Sequence, residues 1–366
     1  MGKIQKQQGK HVRLVKNTIF TICIIFLAPF SSAIIAKPTS TDNELVFLTW
    51  SEYIAPDVVA EFEKTRNAKV RFVYFQSDDA RDRLILDNNG TGFDVVLMSG
   101  MPMNTYVNRT WLAPITKKDV PNLKHIAPKW LNAFDGANNH AVPYFWGTVG
   151  IAYRSDLIKE KITSWKQLFN PPETIGKKIA MIDSGREVIG MALKALGYSI
   201  NTTDIKKIKE AEKLLHQQQR YVKGYSYINI TEHSSLVSGE TSMALAYNGD
   251  ALALQELESN VKFVIPEEGS MLWVDYLTVM ASSRKKALAY DFINFLNEPE
   301  NASKLALYTY YATPHLEAAK QLPKEYLEDP AIYPPQHILD KSETEKSLTP
   351  RALKEYGRIM AILIRK

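Results

Sequence analysis

Short apolar segments alternate with amphipathic segments from residue 44 onward, and this alternation constrains the fold more than any other feature. The segments Glu44–Trp50, Lys69–Phe75 and Phe93–Ser99 have the length and residue types of buried strands. The helical patterns Asp57–Arg66 and Asp78–Asp87 separate them, with only short links between. This order predicts a parallel α/β sheet, because neighbouring parallel strands need a crossover connection.

A second series of alternating segments follows Tyr144 and predicts a second lobe. Its strands and helices are expected at Gly150–Arg154, Lys178–Ile182, Arg186–Leu196, Asp204–Gln219, Thr241–Tyr247, Val261–Ile265, Leu272–Met280, Lys285–Asn297 and Glu300–Tyr308, with a last helix from about Pro350 to Ile364. At 366 residues, with 45% hydrophobic and 23% charged side chains, the chain is long enough for two domains with separate cores. We therefore predict two α/β lobes, with a late return of the chain to the first.

The first 36 residues have the order of a secretory signal peptide. A basic stretch comes first, the apolar segment Thr18–Phe30 follows, and cleavage is expected after Ala33 or Ala36, where small residues cluster. The alternative is an uncleaved membrane anchor, since residues 18–36 are just long enough to span a bilayer. Pro29 weakens that alternative. Cleavage predicts a protein located in the periplasm.

The net charge of the chain is concentrated in this leader. It carries 5 of the 45 Lys and Arg side chains and no acid, so 40 basic and 40 acidic side chains remain after it. A neutral body argues against nucleic acid as a partner. The single cysteine, Cys23, also lies in the leader, so the mature chain is predicted to have neither a disulfide nor a thiol nucleophile.

The sequence lacks the common catalytic and cofactor-binding motifs. It contains no GxxxxGK[ST] phosphate loop, no GxGxxG after a strand, no GxSxG and no HExxH. Its seven histidines show no spacing typical of paired metal ligands. The sequence therefore predicts no enzyme, no metal site and no cofactor.

Aromatic side chains lie beside acids at or near the ends of several predicted strands. These groups are Trp50 to Tyr53, Tyr247 to Asp250, Trp273 with Asp275, and the cluster Tyr308–Tyr311. In open parallel sheets such strand ends line the ligand crevice. Aromatic faces and carboxylates suit an organic cation, through cation–π contacts of about 0.5–2 kcal/mol and charged hydrogen bonds of about 1.5–3 kcal/mol. The alternative is that the tryptophans fill the core and the acids are solvated.

Many segments resemble those of the periplasmic spermidine/putrescine-binding proteins. They are WSEYIAPDVVAEFEK (50–64), TGFDVVLMS (91–99), PYFWGTVGIAYRSD (143–156), REVIGMALKALGY (186–198), YNGDA (247–251), PEEGSMLWVDYLTVM (266–280), DFINFLNEPENA (291–302), YATP (311–314) and IYPP (332–335). The resemblance covers roughly residues 44–335, and the tail beyond Pro335 matches weakly. It implies a type II periplasmic binding protein fold, in which two α/β lobes close on a polyamine in a cleft. We expect residues 37–147 and 274–320 in lobe 1, and residues 148–273 and 321–366 in lobe 2.

The resemblance also implies a ligand site when its positions are carried over. The implied contacts are the aromatic residues Trp50, Tyr53, Tyr247, Trp273 and Tyr311, the acids Glu52, Glu187, Asp250 and Asp275, and the hydroxyls Ser51 and Ser99. Asp275 resembles the family's central ammonium partner, and Asp250 falls where putrescine binders carry an acid. The chain departs from the family at Tyr247, where tryptophan is common, and at Ser184, where spermidine binders use a second acid. No counterpart of the tail glutamine that contacts ligand in relatives is found near Leu348.

The resemblance implies a solute receptor that delivers a polyamine to an ABC importer through a membrane permease. The alternative is a sensory binding protein that docks on a membrane signalling receptor when liganded. Both functions use the same closure of two lobes on a ligand, so the sequence leaves both open. A monomer is expected in either case, and the preferred polyamine is not determined.

Overall fold

The structure is a computed structural model that describes residues 43–100, 103–131, 133–134 and 139–365. The predicted signal peptide and its cleavage positions lie outside the described residues. The strands within these ranges are β1 (Glu44–Thr49), β2 (Lys69–Tyr74), β3 (Val95–Ser99), β4 (Ala141–Arg154), β5 (Ile179–Met181), β6 (Val222–Tyr225), β7 (Met243–Tyr247), β8 (Val261–Val264), β9 (Met271–Val279) and β10 (Glu343–Thr344).

Helices alternate with the first three strands, as the sequence predicts, and cover the sheets elsewhere. They are α1 (Pro56–Arg66), α2 (Asp78–Asp87), α3 (Met103–Asn108), α4 (Pro128–Leu131), α5 (Lys166–Phe169), α6 (Gly185–Ala195), α7 (Ile205–Gln218), α8 (Asn248–Leu257), α9 (Lys286–Leu296), α10 (Pro299–Thr309), α11 (Leu316–Ala319), α12 (Lys324–Glu328), α13 (Gln336–Leu339) and α14 (Pro350–Ile364). Among the described helices, none is long and apolar enough to cross a bilayer.

Several helix starts follow from local residue chemistry. Pro56 begins α1, where its missing N–H would have had no intrahelical partner. The Ser77 hydroxyl accepts a 3.1 Å hydrogen bond from the Ala80 N–H and caps α2. Thr349 caps α14 in the same way, at 3.3 Å from the Ala352 N–H.

The first lobe contains a mixed sheet in the order β2-β1-β3-β9-β4. β1 is parallel to both β2 and β3, which confirms the predicted parallel arrangement. β9 runs antiparallel to β3 and to the first part of β4. The carboxyl ends of β1 and β3 therefore meet at one edge of the sheet, where ligands bind in folds of this type.

The second lobe continues from the far end of β4. There β4 pairs with β7 and β8, and β7 continues to β5 and β6. The sequence predicted a strand only from Gly150, whereas β4 begins at Ala141. Pro143 lies beside a register shift between β4 and β9, and a proline at a bulge is compatible with a long strand.

Each lobe has its own hydrophobic core. Phe47 and Phe292 are completely buried in the first core, and Trp165 and Leu193 are completely buried in the second. Along β4 the chain leaves the first core after Trp146 and enters the second at Val149, and β9 makes the reverse passage between Met271 and Val274. Two long strands therefore connect the lobes.

The chain after residue 320 contributes to both cores. Leu322 and Ile332 pack in the first core, whereas Leu348 and Leu363 pack in the second. The chain therefore passes from the first core to the second between Ile332 and Leu348. The division of the chain at residue 321 stays a prediction. β10, which pairs with the start of β9, lies in this return segment.

Candidate functional site

A cavity opens between the two cores, beside the passage of β4 and β9. Aromatic rings and carboxylates dominate its lining, which consists of Trp50, Tyr53, Asp78, Ser99, Glu187, Tyr227, Tyr247, Met271, Trp273, Asp275, Tyr311 and Glu345. A shallower depression between α7 and α14 is also lined by charged groups, but Arg358 there is already bonded to Glu212 and Glu355. The cavity between the cores is therefore the candidate site.

Strand ends and one helix start position the lobe 1 side of the cavity. Trp50 follows β1 directly, Ser99 ends β3, and Asp78 begins α2. On β9, Asp275 lies opposite Ser99 in the antiparallel register. These residues come from separate segments of the chain, and the parallel pairing of β1 with β3 brings them to one edge.

Asp275 is a buried acid with 9% of its surface exposed. The Tyr53 hydroxyl donates a 2.7 Å hydrogen bond to its Oδ2 atom. Burial raises the pKa of Asp275 to about 7, with a smaller contribution from the charge of Asp78, while the Tyr53 hydrogen bond opposes the shift. A cation that contacts Asp275 would therefore stabilise the ionised form of its carboxylate.

Glu187 lies in the first turn of α6, on the lobe 2 side of the cavity. It accepts hydrogen bonds from the hydroxyls of Ser184 and Tyr247, the latter at 2.8 Å. Burial raises the pKa of Glu187 to about 7, and the neighbouring charge of Glu345 contributes to the same shift. This carboxylate is held in place by hydroxyl groups and has no cationic partner among the described residues.

Glu345 is a cavity residue that the sequence analysis missed. It follows β10, and only 13% of its side chain is exposed. Arg186 donates a 2.8 Å hydrogen bond from its Nε atom to Glu345, which neutralises that charge. No local pattern around residue 345 marks it, because it reaches the cavity only through the pairing of β10 with β9.

Asp78 was also missed as a cavity residue, since the sequence analysis identified it only as the first residue of a predicted helix. Arg81, with 1% of its surface exposed, donates a 2.6 Å hydrogen bond to Asp78 and further hydrogen bonds to Asp82. The Ser99 hydroxyl donates a 3.2 Å hydrogen bond to the other Asp78 oxygen. Arg81 is therefore fully engaged by these acids at the edge of the cavity.

Aromatic rings form the walls around the acids. Trp273 packs edge-on against Tyr311 at a centroid distance of 4.7 Å and against Tyr247 at 6.1 Å. Tyr53 lies 5.6 Å from Tyr311. The Nε1 atom of Trp273 is buried and has no hydrogen-bond partner among the described residues. The walls thus present ring faces and edges, and the hydroxyls of the four lining tyrosines all donate to carboxylates.

Three predicted site residues are not part of the cavity lining. Ser51 and Glu52 are exposed, and the Glu52 carboxylate accepts a 2.7 Å hydrogen bond from Tyr308. Asp250 is buried behind the aromatic wall, where Tyr227 and Tyr311 donate hydrogen bonds to its two oxygens. Their predicted contact with a ligand stays a prediction.

The charges around the cavity are unevenly paired. Arg186 and Arg81 are bonded to Glu345 and to the acids of α2, respectively. In the described part of the chain, neither Asp275 nor Glu187 forms an ion pair. A buried carboxylate without a cation is costly. The cavity therefore holds two acids whose ionised forms an incoming cation would stabilise.

Comparisons with known proteins identify the family of the chain. The family described as bacterial extracellular solute-binding protein matches residues 57–334. The chain belongs to this family. Over 312 residues it is 33% identical to the spermidine/putrescine-binding periplasmic protein 1 of Haemophilus influenzae, covering 84% of this chain and 85% of that protein. Over 316 residues it is 30% identical to the norspermidine sensor of Vibrio cholerae, covering 84% and 87%.

A solved structure of a relative supports the fold. The spermidine/putrescine ABC transporter substrate-binding protein PotD from Streptococcus pneumoniae superimposes with a TM-score of 0.77 at 29% identity. The match covers 88% of this chain and all of that chain. The type II periplasmic binding protein fold and the family resemblance predicted from the sequence are therefore confirmed.

Proposed function

We propose that the protein binds a polyamine in the cavity between its lobes and delivers it to an ABC importer. The observation that carries this proposal is the pair of acids Asp275 and Glu187, which have no cationic partner among the residues that the structure describes and lie in a cavity walled by aromatic rings. Several relatives are named for spermidine and putrescine binding, and the solved relative is named as an ABC transporter component.

The two acids suit the two ends of a flexible diamine or the separated amines of a triamine. Each ammonium group gains a charge-assisted hydrogen bond from a carboxylate, and the aromatic walls contact the methylene segments and add cation–π attraction. We propose that both diamines and triamines bind, with affinities that differ by less than about a hundredfold, or about 2.7 kcal/mol.

The remaining parts of the proposal concern where and how the protein acts. A location in the periplasm agrees with the relatives, which are named as periplasmic proteins. We propose that the protein acts there as a monomer, that it binds its ligand without chemical conversion, and that it docks on a membrane permease when closed.

Thermal unfolding tests the binding proposal with few assumptions. A ligand that binds the folded state raises the unfolding midpoint, by an amount that grows with its concentration above Kd. Putrescine, cadaverine, spermidine, norspermidine and spermine should raise the midpoint, whereas γ-aminobutyrate and butylamine should not. Sodium chloride at matched ionic strength controls for nonspecific charge effects. A panel without any shift would contradict polyamine binding.

A second function, polyamine sensing, is favoured by one observation. The similarity to the norspermidine sensor extends over 316 residues. Uptake of labelled polyamine by a strain that lacks the gene separates the two functions. Transport predicts reduced uptake that the intact gene restores. Normal uptake, together with copurification of the liganded protein with a membrane signalling receptor, would support sensing instead.

A further inference from the structure

We propose that Tyr227 is a lid residue that makes the cavity prefer short polyamines to long ones. This inference rests on the proposed polyamine-binding function and deepens it. Tyr227 lines the cavity, yet 38% of its surface remains exposed, so its ring lies at the boundary between cavity and solvent. Tyr227 is not among the ligand contacts that the sequence analysis predicted.

The backbone on both sides of Tyr227 is anchored to lobe 2. The Ser226 N–H donates a 2.8 Å hydrogen bond to the carbonyl of Met181 at the end of β5. Ile228 is buried with Ala246 and Leu254 in a small hydrophobic cluster that is separate from the two main cores. The Tyr227 ring is therefore presented to the cavity from a fixed position, although it lies in a long connection between β6 and β7.

The ring of Tyr227 contacts the opposite lobe. It stacks on Trp50, with 5.7 Å between the ring centroids and 17° between the ring planes. At this distance the two rings contact one another and leave no space for an alkyl chain between them. Trp50 and Tyr227 thus form a continuous aromatic cover over one side of the cavity.

The hydroxyl of Tyr227 holds this cover in place. It donates a 2.8 Å hydrogen bond to Oδ2 of Asp250, while Tyr311 donates a 2.9 Å hydrogen bond to Oδ1. Tyr311 packs in the first core, and Asp250 lies in the first turn of α8. The Tyr227 bond to Asp250 therefore lies within lobe 2, whereas the Tyr311 bond to the same carboxylate joins lobe 1 to lobe 2.

This arrangement predicts a dependence on ligand length. A short diamine that contacts Asp275 and Glu187 lies beneath the cover and leaves Tyr227 bonded to Asp250. A longer polyamine extends past the Tyr227 ring toward solvent, and this displaces the Tyr227 hydroxyl from Asp250. The cover therefore slows the dissociation of short ligands. Long ligands bind less favourably, because the hydrogen bond between Tyr227 and Asp250 must break when they bind.

Dissociation rates of putrescine and spermine from the full-length mature protein test the proposal. For Tyr227→Ala we expect the putrescine rate to rise at least about tenfold, the effect of losing one charge-assisted hydrogen bond. The spermine rate should change less than about threefold. Tyr227→Phe retains the ring and loses the anchor, so it should show a smaller increase for putrescine. Tyr225→Phe is the matched control, since the Tyr225 hydroxyl has no partner in the described structure and lies outside the cavity lining.

The outcomes separate the lid from the proposed function. If wild-type protein binds polyamines but Tyr227→Ala changes both dissociation rates equally or not at all, the lid proposal is wrong and polyamine binding stands. If wild-type protein binds no polyamine, the proposed function itself is wrong. Should Tyr227→Ala fail to fold, the ratio of the two rates in Tyr227→Phe decides, and a ratio equal to that of wild type overturns the lid.

Discussion

The hydroxyl of Tyr53 donates a 2.7 Å hydrogen bond to Asp275, which lies 222 residues further along the chain. This contact joins the segment after β1 to the middle of β9 and fixes the orientation of the carboxylate. Among the described residues, the other oxygen of Asp275 accepts no hydrogen bond. One oxygen is therefore fixed by the protein, and the other remains available to an ammonium group.

Replacing Asp275 with Asn should separate binding from stability. Asn keeps an acceptor for Tyr53 but loses the charge, so polyamine affinity should fall at least about thirtyfold, or about 2 kcal/mol. The folded-state pKa of about 7 lies above the usual aspartate value, so the stability that this group contributes is present at low pH and lost as pH rises through 7. At pH 8 the neutral Asn should therefore raise the thermal midpoint. Calorimetric titration and thermal unfolding measure the two effects.

The control for this substitution is Asp291→Asn, which removes a partly exposed ion pair with Arg66, and neither residue lines the cavity. It should leave polyamine affinity unchanged. Normal affinity in folded Asp275→Asn would show that Asp275 does not contact the ligand.

Polyamine affinity should depend on pH between 6 and 8. The pKa values of Asp275 and Glu187 are both raised to about 7, so lowering the pH to 6 protonates most of each carboxylate, while the amines of the ligand remain charged. We expect Kd to rise about tenfold to a hundredfold from pH 8 to pH 6, measured by titration at constant ionic strength. A Kd independent of pH would contradict the assignment of these acids to the ammonium groups.

Glu345 should act through Arg186 more than through the ligand. Glu345→Gln leaves the Arg186 charge unbalanced beside Glu187, so polyamine affinity at pH 8 should fall about threefold to tenfold. The double variant Arg186→Gln with Glu345→Gln restores the charge balance and should recover most of the affinity. Glu343→Gln is the control, because Glu343 pairs with Lys194 and does not line the cavity. Equal losses in the single and double variants would contradict the pairing argument.

The sequence predicted best those parts of the site that depend on local pattern. Trp50 and Ser99 lie at the ends of strands that periodicity identifies, and the period of two along β9 places Trp273 and Asp275 on one face. The parallel order of β1, β2 and β3 follows from the same alternation. These features need only short segments of sequence to specify them, and the structure contains all of them.

Other parts of the site depend on contacts between distant segments. Glu345 reaches the cavity through a two-residue pairing of β10 with β9, and no pattern in the tail indicates that pairing. Tyr227 lies in an irregular connection, and the hydrogen bond from the Ser226 N–H to the Met181 carbonyl fixes the position of that connection. Asp250 follows a strand end as predicted, but the start of α8 places it behind Tyr311, a relation that only tertiary packing determines.

Gly147 should tolerate no side chain at the point where β4 passes between the lobes. A Cβ atom there would lie 2.4 Å from both Oδ1 of Asn248 and a ring carbon of Trp273. Gly147→Ala should therefore destabilise the protein by about 1–3 kcal/mol and weaken polyamine binding by displacing Trp273. Chemical denaturation and titration measure both. Gly224→Ala, where nothing lies within 4 Å of the added atom, should be nearly neutral, and equal effects at the two positions would contradict the account.

Calorimetric titration of the mature wild-type protein with spermidine, at pH 7 in two buffers of different ionisation enthalpy, tests the central claim most directly. Two acids that are about half protonated in the free protein and fully ionised when paired should release about one proton per ligand bound. We predict saturable binding of one ligand per chain. The apparent enthalpies in the two buffers should differ by about the difference between the buffers' ionisation enthalpies, as expected for the release of about one proton. Absence of saturable binding, or binding whose enthalpy is the same in both buffers, would contradict the claim that Asp275 and Glu187 receive the ammonium groups.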